Sequence, residues 1–183
     1  MELANNKNLT FNEGTIIVRN GRMADPYSLK AGMDAFIAAD GKGSGGMADI
    51  IYVYNEYVNN SNIGEAYIYA GRLDEIVPGT VILEDFFLLA ENEWESFDDE
   101  KELYYDEDTY IYDMEKGRTI TTEEFYSGNY AVDESSSYAK NNGLKDWHAY
   151  IFADGDRIVA AVVKKQLDSL AAQRVTNGII ANI

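Results

Sequence analysis

The 183-residue chain contains no cysteine. Disulfides, thiolate metal sites and a cysteine nucleophile are therefore excluded together. Its one histidine is His148, and a single His without Cys cannot assemble the usual zinc or thiol-dependent centres. Cations are scarce: 15 Lys and Arg stand against 32 Asp and Glu, a formal net charge of −17. Such a field repels phosphate backbones and anionic lipid heads, so nucleic acid is not an expected partner. No run approaches the roughly 20 apolar residues of a membrane-spanning helix, and no membrane insertion is expected. The opening stretch Met1 to Lys7 lacks the apolar centre of a signal peptide.

What the chain does hold is aromatic and β-prone. With 46% hydrophobic residues, 14 Tyr, 7 Phe and 2 Trp against only 2 Pro, it reads as an ordered all-β protein with short helical turns. Strand-like runs fall at Asp49–Tyr54, Glu65–Ala70, Thr80–Leu89, Trp147–Ala153 and Arg157–Val163. Asp154-Gly155 has the residue preference of a tight hairpin turn between the last two. Arg72 to Leu89 reads as a strand pair turning at Gly79, and Lys164–Gln173 as a short connecting helix.

One unit occurs twice. Phe11-Asn12-Glu13-Gly14-Thr15-Ile16-Ile17-Val18 lines up with Tyr105-Asp106-Glu107-Asp108-Thr109-Tyr110-Ile111-Tyr112 at an offset of 94. At offset 96, Gly21-Arg22 falls on Gly117-Arg118, Asp25 on Thr121, Leu29 on Phe125, Gly32 on Gly128 and Ala35 on Ala131. Each copy reads strand, helical turn, glycine, strand. Asp25-Pro26 supplies an N-cap acceptor before a proline at the first helical position, and Thr121-Thr122-Glu123-Glu124 has the spacing of a capping box. A longer amphipathic helix from Asp25 to Asp40 would also place Leu29, Met33, Phe36 and Ile37 on one side, but the repeat favours the short turn. Gly32 and Gly128 are expected to end these turns in a left-handed conformation. The loop Asp40–Gly46 is matched with Asp133–Lys145.

The ends suggest a segment of a longer repetitive protein. Copy two is preceded by the Arg72–Leu89 strand pair, whereas copy one has no such strands before Phe11. Gln173-Arg174-Val175-Thr176-Asn177-Gly178-Ile179 is similar to Gly71-Arg72-Leu73-Asp74-Glu75-Ile76, as though another unit were opening. The expected organisation is a first barrel unit over 1–71, a second over 72–164, and a connection with the start of a further unit over 165–183.

The pattern of an Asp/Glu-Asp-Thr-x-Ile strand, as at Glu107-Asp108-Thr109-Tyr110-Ile111, followed by a short helical turn, a glycine and paired strands, resembles the small OB-like barrel repeats of Gram-positive envelope and S-layer-type proteins. The resemblance covers roughly Phe11–Tyr54 and Arg72–Lys164. It implies two tandem OB-like β-barrels in an extracellular, multi-domain, non-enzymatic surface protein. The chain departs from a simple barrel repeat in its long polar loops at Asn55–Gly64 and Ser135–Gly143.

Candidate chemistry is thin. No Gly-x-Ser-x-Gly elbow marks a serine for His148 to activate. Gly41–Gly46 holds a Lys and a Ser without the order of a phosphate loop, and reads as a loop between strands. Paired carboxylates of a glycosidase kind arise by accident in any acidic chain. No catalytic, cofactor-binding or metal-ligating residue is assigned. Calcium is the one cofactor the composition admits, through Asp98, Asp99, Asp106, Asp108 and Asp113, but these lack the ordered spacing of a calcium loop and read as a solvated acidic face. The tyrosines at 52, 54, 57, 67, 69, 104, 105, 110 and 112 cluster in strands, where alternate members such as Tyr67 and Tyr69, or Tyr110 and Tyr112, share a face. Those faces serve sheet packing or an exposed contact surface. The expected function is a non-catalytic structural or assembly module whose partners are neighbouring repeats or other surface-protein chains. A carbohydrate-binding module using the tyrosines and polar loops is the alternative.

Overall fold

The computed structural model describes residues 1–5, 7–40, 46–54, 66–90, 93–165 and 174–183, and the elements below belong to these. In chain order the first strands are β1 (Glu2–Leu3), β2 (Ile16–Arg19), β3 (Arg22–Met23), β4 (Asp34–Asp40) and β5 (Met47–Tyr54), with one 3-10 turn at Pro26–Ser28. Then come β6 (Ala66–Val77), β7 (Thr80–Ala90), β8 (Glu93–Phe97), β9 (Lys101–Tyr104), β10 (Tyr110–Asp113) and β11 (Arg118–Ile120). Two short helices follow, α1 (Thr122–Ser127) and α2 (Ser137–Asn142), and then β12 (His148–Asp154), β13 (Arg157–Lys164) and β14 (Arg174–Asn182). The protein is all-β, as its composition led one to expect.

The strands form two sheets. One runs β1-β14-β4-β5-β2-β3, the other β11-β10-β13-β12-β6-β7-β8, with β9 bridging β13 and β7. In the second sheet the ladders return on themselves: β6 pairs β7, β7 pairs β9, β9 runs parallel to β13, β13 pairs β12, and β12 pairs β6. The first sheet has the same circuit in reduced form. There β14 pairs β1, Glu2 bridges Asn8, Thr10 bridges Met47 in parallel, β5 pairs β4, and β4 pairs β14. Both halves add a parallel ladder, β2 on β5 and β10 on β13.

The pairing correspondence extends to single hydrogen bonds. Before β2, the Thr15 hydroxyl donates to Ala48 O at 2.7 Å and accepts from Asn12 N; before β10, the Thr109 hydroxyl donates to Ile158 O at 3.1 Å and accepts from Asp106 N. A threonine is needed because the hydroxyl both closes its own turn and ties it to the parallel strand alongside.

Three apolar layers result. Alternate residues of each strand point to opposite faces: Ile37 packs with Leu3, Ile17, Ile51 and Ile180, while its neighbour Phe36 packs with Tyr150, Phe152 and Val162 across the gap between the sheets. The far side of the second sheet collects Leu73, Leu83, Leu103, Ile151 and Ile158 from the five strands of its circuit, together with Ile111 of β10 and Phe125 of α1. Because both faces are covered, runs such as Ala35–Ala39 and Ala149–Ala153 are hydrophobic throughout rather than alternating. Across the sheets Lys164 Nζ donates to Asp49 Oδ1 at 2.7 Å, with both side chains buried.

Several local expectations hold. Asp25 caps the 3-10 turn by accepting from Ser28 N, and Thr121 and Glu124 form a reciprocal capping box on α1. The short turn is followed by strand β4 and not by a long helix. Gly32 is left-handed at φ +93 and Gly79 at φ +85, the latter in the turn between β6 and β7.

Others are corrected. Gly128 has an extended φ of −78, and glycine is there for room: a Cβ would lie 2.5 Å from the Tyr130 ring and 2.7 Å from Glu124 O. Ala35 corresponds in pairing to Ala149, not Ala131, because Asp133–Lys145 is not the partner of the Asp40–Gly46 loop. That stretch precedes β12 and contains α2, capped by Ser136 and ended by left-handed Gly143. The true counterpart is the β12–β13 turn, whose two residues are Gly155 and Asp156, one place beyond the expected pair. β6 runs without interruption through positions 71 and 72, where the sequence places a unit boundary, its register shifts absorbing the bend. β14, expected to open a further unit, joins the first sheet beside β4. The expected loops at Gly41–Gly45 and Asn55–Gly64, Tyr57, and residues 166–173 of the expected helix lie outside the described residues.

Removing one partner of the buried ion pair leaves the other charge uncompensated. Lys164→Ala is expected to lower unfolding free energy by about 3–5 kcal/mol, while replacing both members (Asp49→Val with Lys164→Met) recovers most of the loss. Urea denaturation of the single and double variants measures this.

Candidate functional site

A hollow that gathers ionisable groups lies between the β6–β7 pair and the chain around α2. Its volume is about 460 Å³, and Arg72, Asp74, Glu75, Glu84, Val132, Asp133, Glu134 and Asp146 line it. Arg72, Asp74 and Glu75 come from β6 and Glu84 from β7; the other four flank the α2 segment that has no counterpart in the first half. The register shifts of β6 fall among these residues, between Ala70 and Arg72 and again between Leu73 and Glu75. A bulge re-aims side chains that strict alternation would send to opposite faces.

Arg72 organises one wall. Its Nη2 donates to Glu84 Oε2 at 2.6 Å and lies 3.3 Å from Asp85 Oδ2. Asp146 organises the other: its Oδ1 accepts from Val132 N at 2.6 Å, and its own N–H donates to Glu134 Oε1 at 3.1 Å. Burial pushes the Asp146 carboxyl up to about 6, reinforced by the Glu134 and Asp74 charges and opposed by the Val132 N–H and Arg72. His148 does not line the hollow but sits opposite Arg72 in the β6–β12 ladder. Burial, with the Arg72 charge, brings its imidazole down to about 4.

Asp74, Glu84 and Asp146 each offer an oxygen within 4.8 Å of the others, and among the described residues they are the group spaced to share one cation. Three carboxylates fall short of the six to eight oxygens calcium takes, and Arg72 already occupies Glu84. In the state shown, the chemistry of the hollow is charge compensation: one guanidinium among carboxylates, with one acid poised to hold a proton.

The sequence pointed elsewhere for calcium. Asp98 and Asp99 are exposed in the bend before β9. Asp106 binds Arg157 Nε at 2.8 Å and caps Asp108 N, which holds it below the usual carboxylate range. Asp113 is fully buried, accepting from Glu115 N, Lys116 N and the Tyr130 hydroxyl. These five do not converge. The hollow was missed because its acids are separated in sequence by up to 72 positions, from Asp74 to Asp146, and only the β6–β12 and β6–β7 ladders bring them together.

The tyrosine faces also find their place. Tyr67 and Tyr69 share a face as expected, with ring centroids 6.1 Å apart, and pack in the layer of the second sheet's circuit. Tyr110 and Tyr112 turn to the layer between the sheets, with Tyr52 and Tyr54. Tyr105 is buried and donates to Val77 O, whereas Tyr104 is exposed.

Two titrations of opposite sign meet here. Asp146, with its folded pKa raised, contributes stability present below about 4 that is lost as pH rises through about 6. His148, with its folded pKa depressed, contributes stability present above about 6.5 that is lost as pH falls through about 4. Thermal melting from pH 4 to 7 is expected to show Asp146→Asn steepening the rise of stability with pH and His148→Gln reversing it.

No family model, curated protein or solved structure matches the chain, so the functional reading rests on its own geometry.

Proposed function

We propose that the chain is a non-catalytic structural and assembly module, built from two OB-like barrels of one tandemly repeated unit, in a repetitive bacterial cell-surface protein of the S-layer type. The observation that carries this is the shared circuit of ladders. An OB barrel pairs its strands in the order 1-2-3-5-4-1, with strands 3 and 5 parallel and a helix between 3 and 4. With β6, β7, β9, β12 and β13 as strands 1 to 5, the circuit runs β6-β7-β9-β13-β12-β6, and α1 falls between β9 and β12. β14, β1, the Asn8–Thr10 stretch, β4 and β5 meet likewise, with the 3-10 turn in the place of α1.

The polar side chains support a structural role. Arg72, Asp106, Asp113, Thr15 and Thr109 each bind a turn, a strand or an opposite charge of the fold itself. Most strand tyrosines are spent on the layers between and within the sheets, leaving Tyr27, Tyr104, Tyr126 and Tyr138 as the exposed ones among the described residues. An acidic surface suits a crowded extracellular array by keeping unassembled copies soluble.

Sedimentation velocity from micromolar to millimolar chain, followed by negative-stain microscopy, tests the assembly reading. Concentration-dependent higher-order species are expected. A monodisperse monomer throughout that range, with and without calcium, would overturn it.

A further inference from the structure

In the second half the strand that opens the circuit, β6, is joined to its neighbour β7 by the two-residue turn Pro78-Gly79. In the first half the corresponding neighbours are β14 and β1, which lie at opposite ends of the chain. The correspondence is residue for residue. Leu73 N donates to Trp147 O at 2.8 Å, and Ile180 N donates to Met33 O at 2.8 Å. Gly71 stands opposite Ala149 and Gly178 opposite Ala35. A Cβ on Gly71 would lie 3.2 Å from Leu83 Cβ, and one on Gly178 would lie 3.4 Å from Leu3 Cδ1, each glycine admitting the leucine of the neighbouring strand.

We infer that β14 is an exchangeable strand: the slot between β1 and β4 takes β14 from a second copy of this chain as well as from its own. This deepens the assembly reading and rests on it. No hairpin turn ties β14 to β1, so a β14 from any copy makes the same ladder with β4, from Arg174 opposite Ala39 to Ile179 opposite Asp34. From Gly178 to Ile183, Ile180 is the one buried side chain, while Ile179 and Ile183 are 47% and 50% exposed. Backbone hydrogen bonds therefore supply most of the attachment there, and these are the interactions that strand addition reproduces between chains. Bonds made within a chain and between chains are alike, so the balance is set by concentration. An isolated chain closes on its own strand through its high effective concentration, and crowded copies exchange.

Asp34 and Ile179 make the test, because the chain has no cysteine of its own and neither side chain is buried. The adjacent Met33–Ile180 pair is hydrogen-bonded, so 34 and 179 form the closer, non-hydrogen-bonded type of pair, within disulfide reach. Asp34→Cys and a size-tagged Ile179→Cys are mixed at millimolar concentration, oxidised and run on a non-reducing gel. The expected result is a disulfide-linked heterodimer enriched at least about tenfold over homodimers of either variant alone, since 1.4 kcal/mol of pairing preference already gives that ratio. The double variant in one chain is expected to close its bond internally and to lose the higher-order species of the wild type.

No enrichment of heterodimer, while the double variant closes internally, would overturn strand exchange. So would a double variant that fails to close, because the register would then be wrong. Higher-order species that persist in the closed double variant would overturn exchange but leave the assembly reading standing on other surfaces. Wild-type chain that never forms such species would sink both.

Discussion

Phe36, Tyr150, Phe152 and Val162, with Trp94 set edge-on to Phe36 at 5.5 Å, fill the space between the two sheets, and the rest of the molecule is arranged around keeping that space dry. Neither sheet could bury this face alone, since each already uses its other face for its own circuit of strands. At roughly 25 cal/mol for each Å² of apolar surface removed from water, a layer of large aromatic and branched side chains outweighs any surface ion pair in the chain. The Lys164–Asp49 pair crosses the same gap. It fixes how the sheets sit more than how strongly they adhere, because the cost of desolvating two charges offsets much of their attraction.

With the interior so committed, chemistry is pushed to the margins of the second half. The α2 segment is the main departure from correspondence between the halves, and it walls the hollow where Asp146, Glu134 and Arg72 meet. Asp146 and His148 are two residues apart yet are driven to opposite protonation preferences by the same burial, since burial disfavours the charged form of each. Their pH effects therefore oppose one another within one short strand entry.

The first half is a leaner version of the second. Two residues of β1, single bridges at Asn8 and Thr10, and β14 do the work that β6, β7 and β9 perform with long ladders. Over residues 178–183 the last strand buries only the Ile180 side chain, so its backbone supplies most of the attachment there.

Local features were legible in the sequence because their physics is local. The all-β class, the caps at Asp25 and Thr121, the turn at Gly79 and the sharing of faces by Tyr67 and Tyr69 each follow from residues a few positions apart. The Asn20-Gly21 turn between β2 and β3, with both residues at positive φ, has an equally local origin in its dipeptide. Only the tertiary structure could decide where β14 pairs, why Gly128 is a glycine, and which acids share a hollow. A ladder between Ile179 and Asp34, a ring pressed on Gly128, and a carboxylate at 146 facing one at 74 all join positions whose nearness arises when distant strands meet. Composition and spacing specify what a segment can form; the closing of the circuits specifies which of its groups come together.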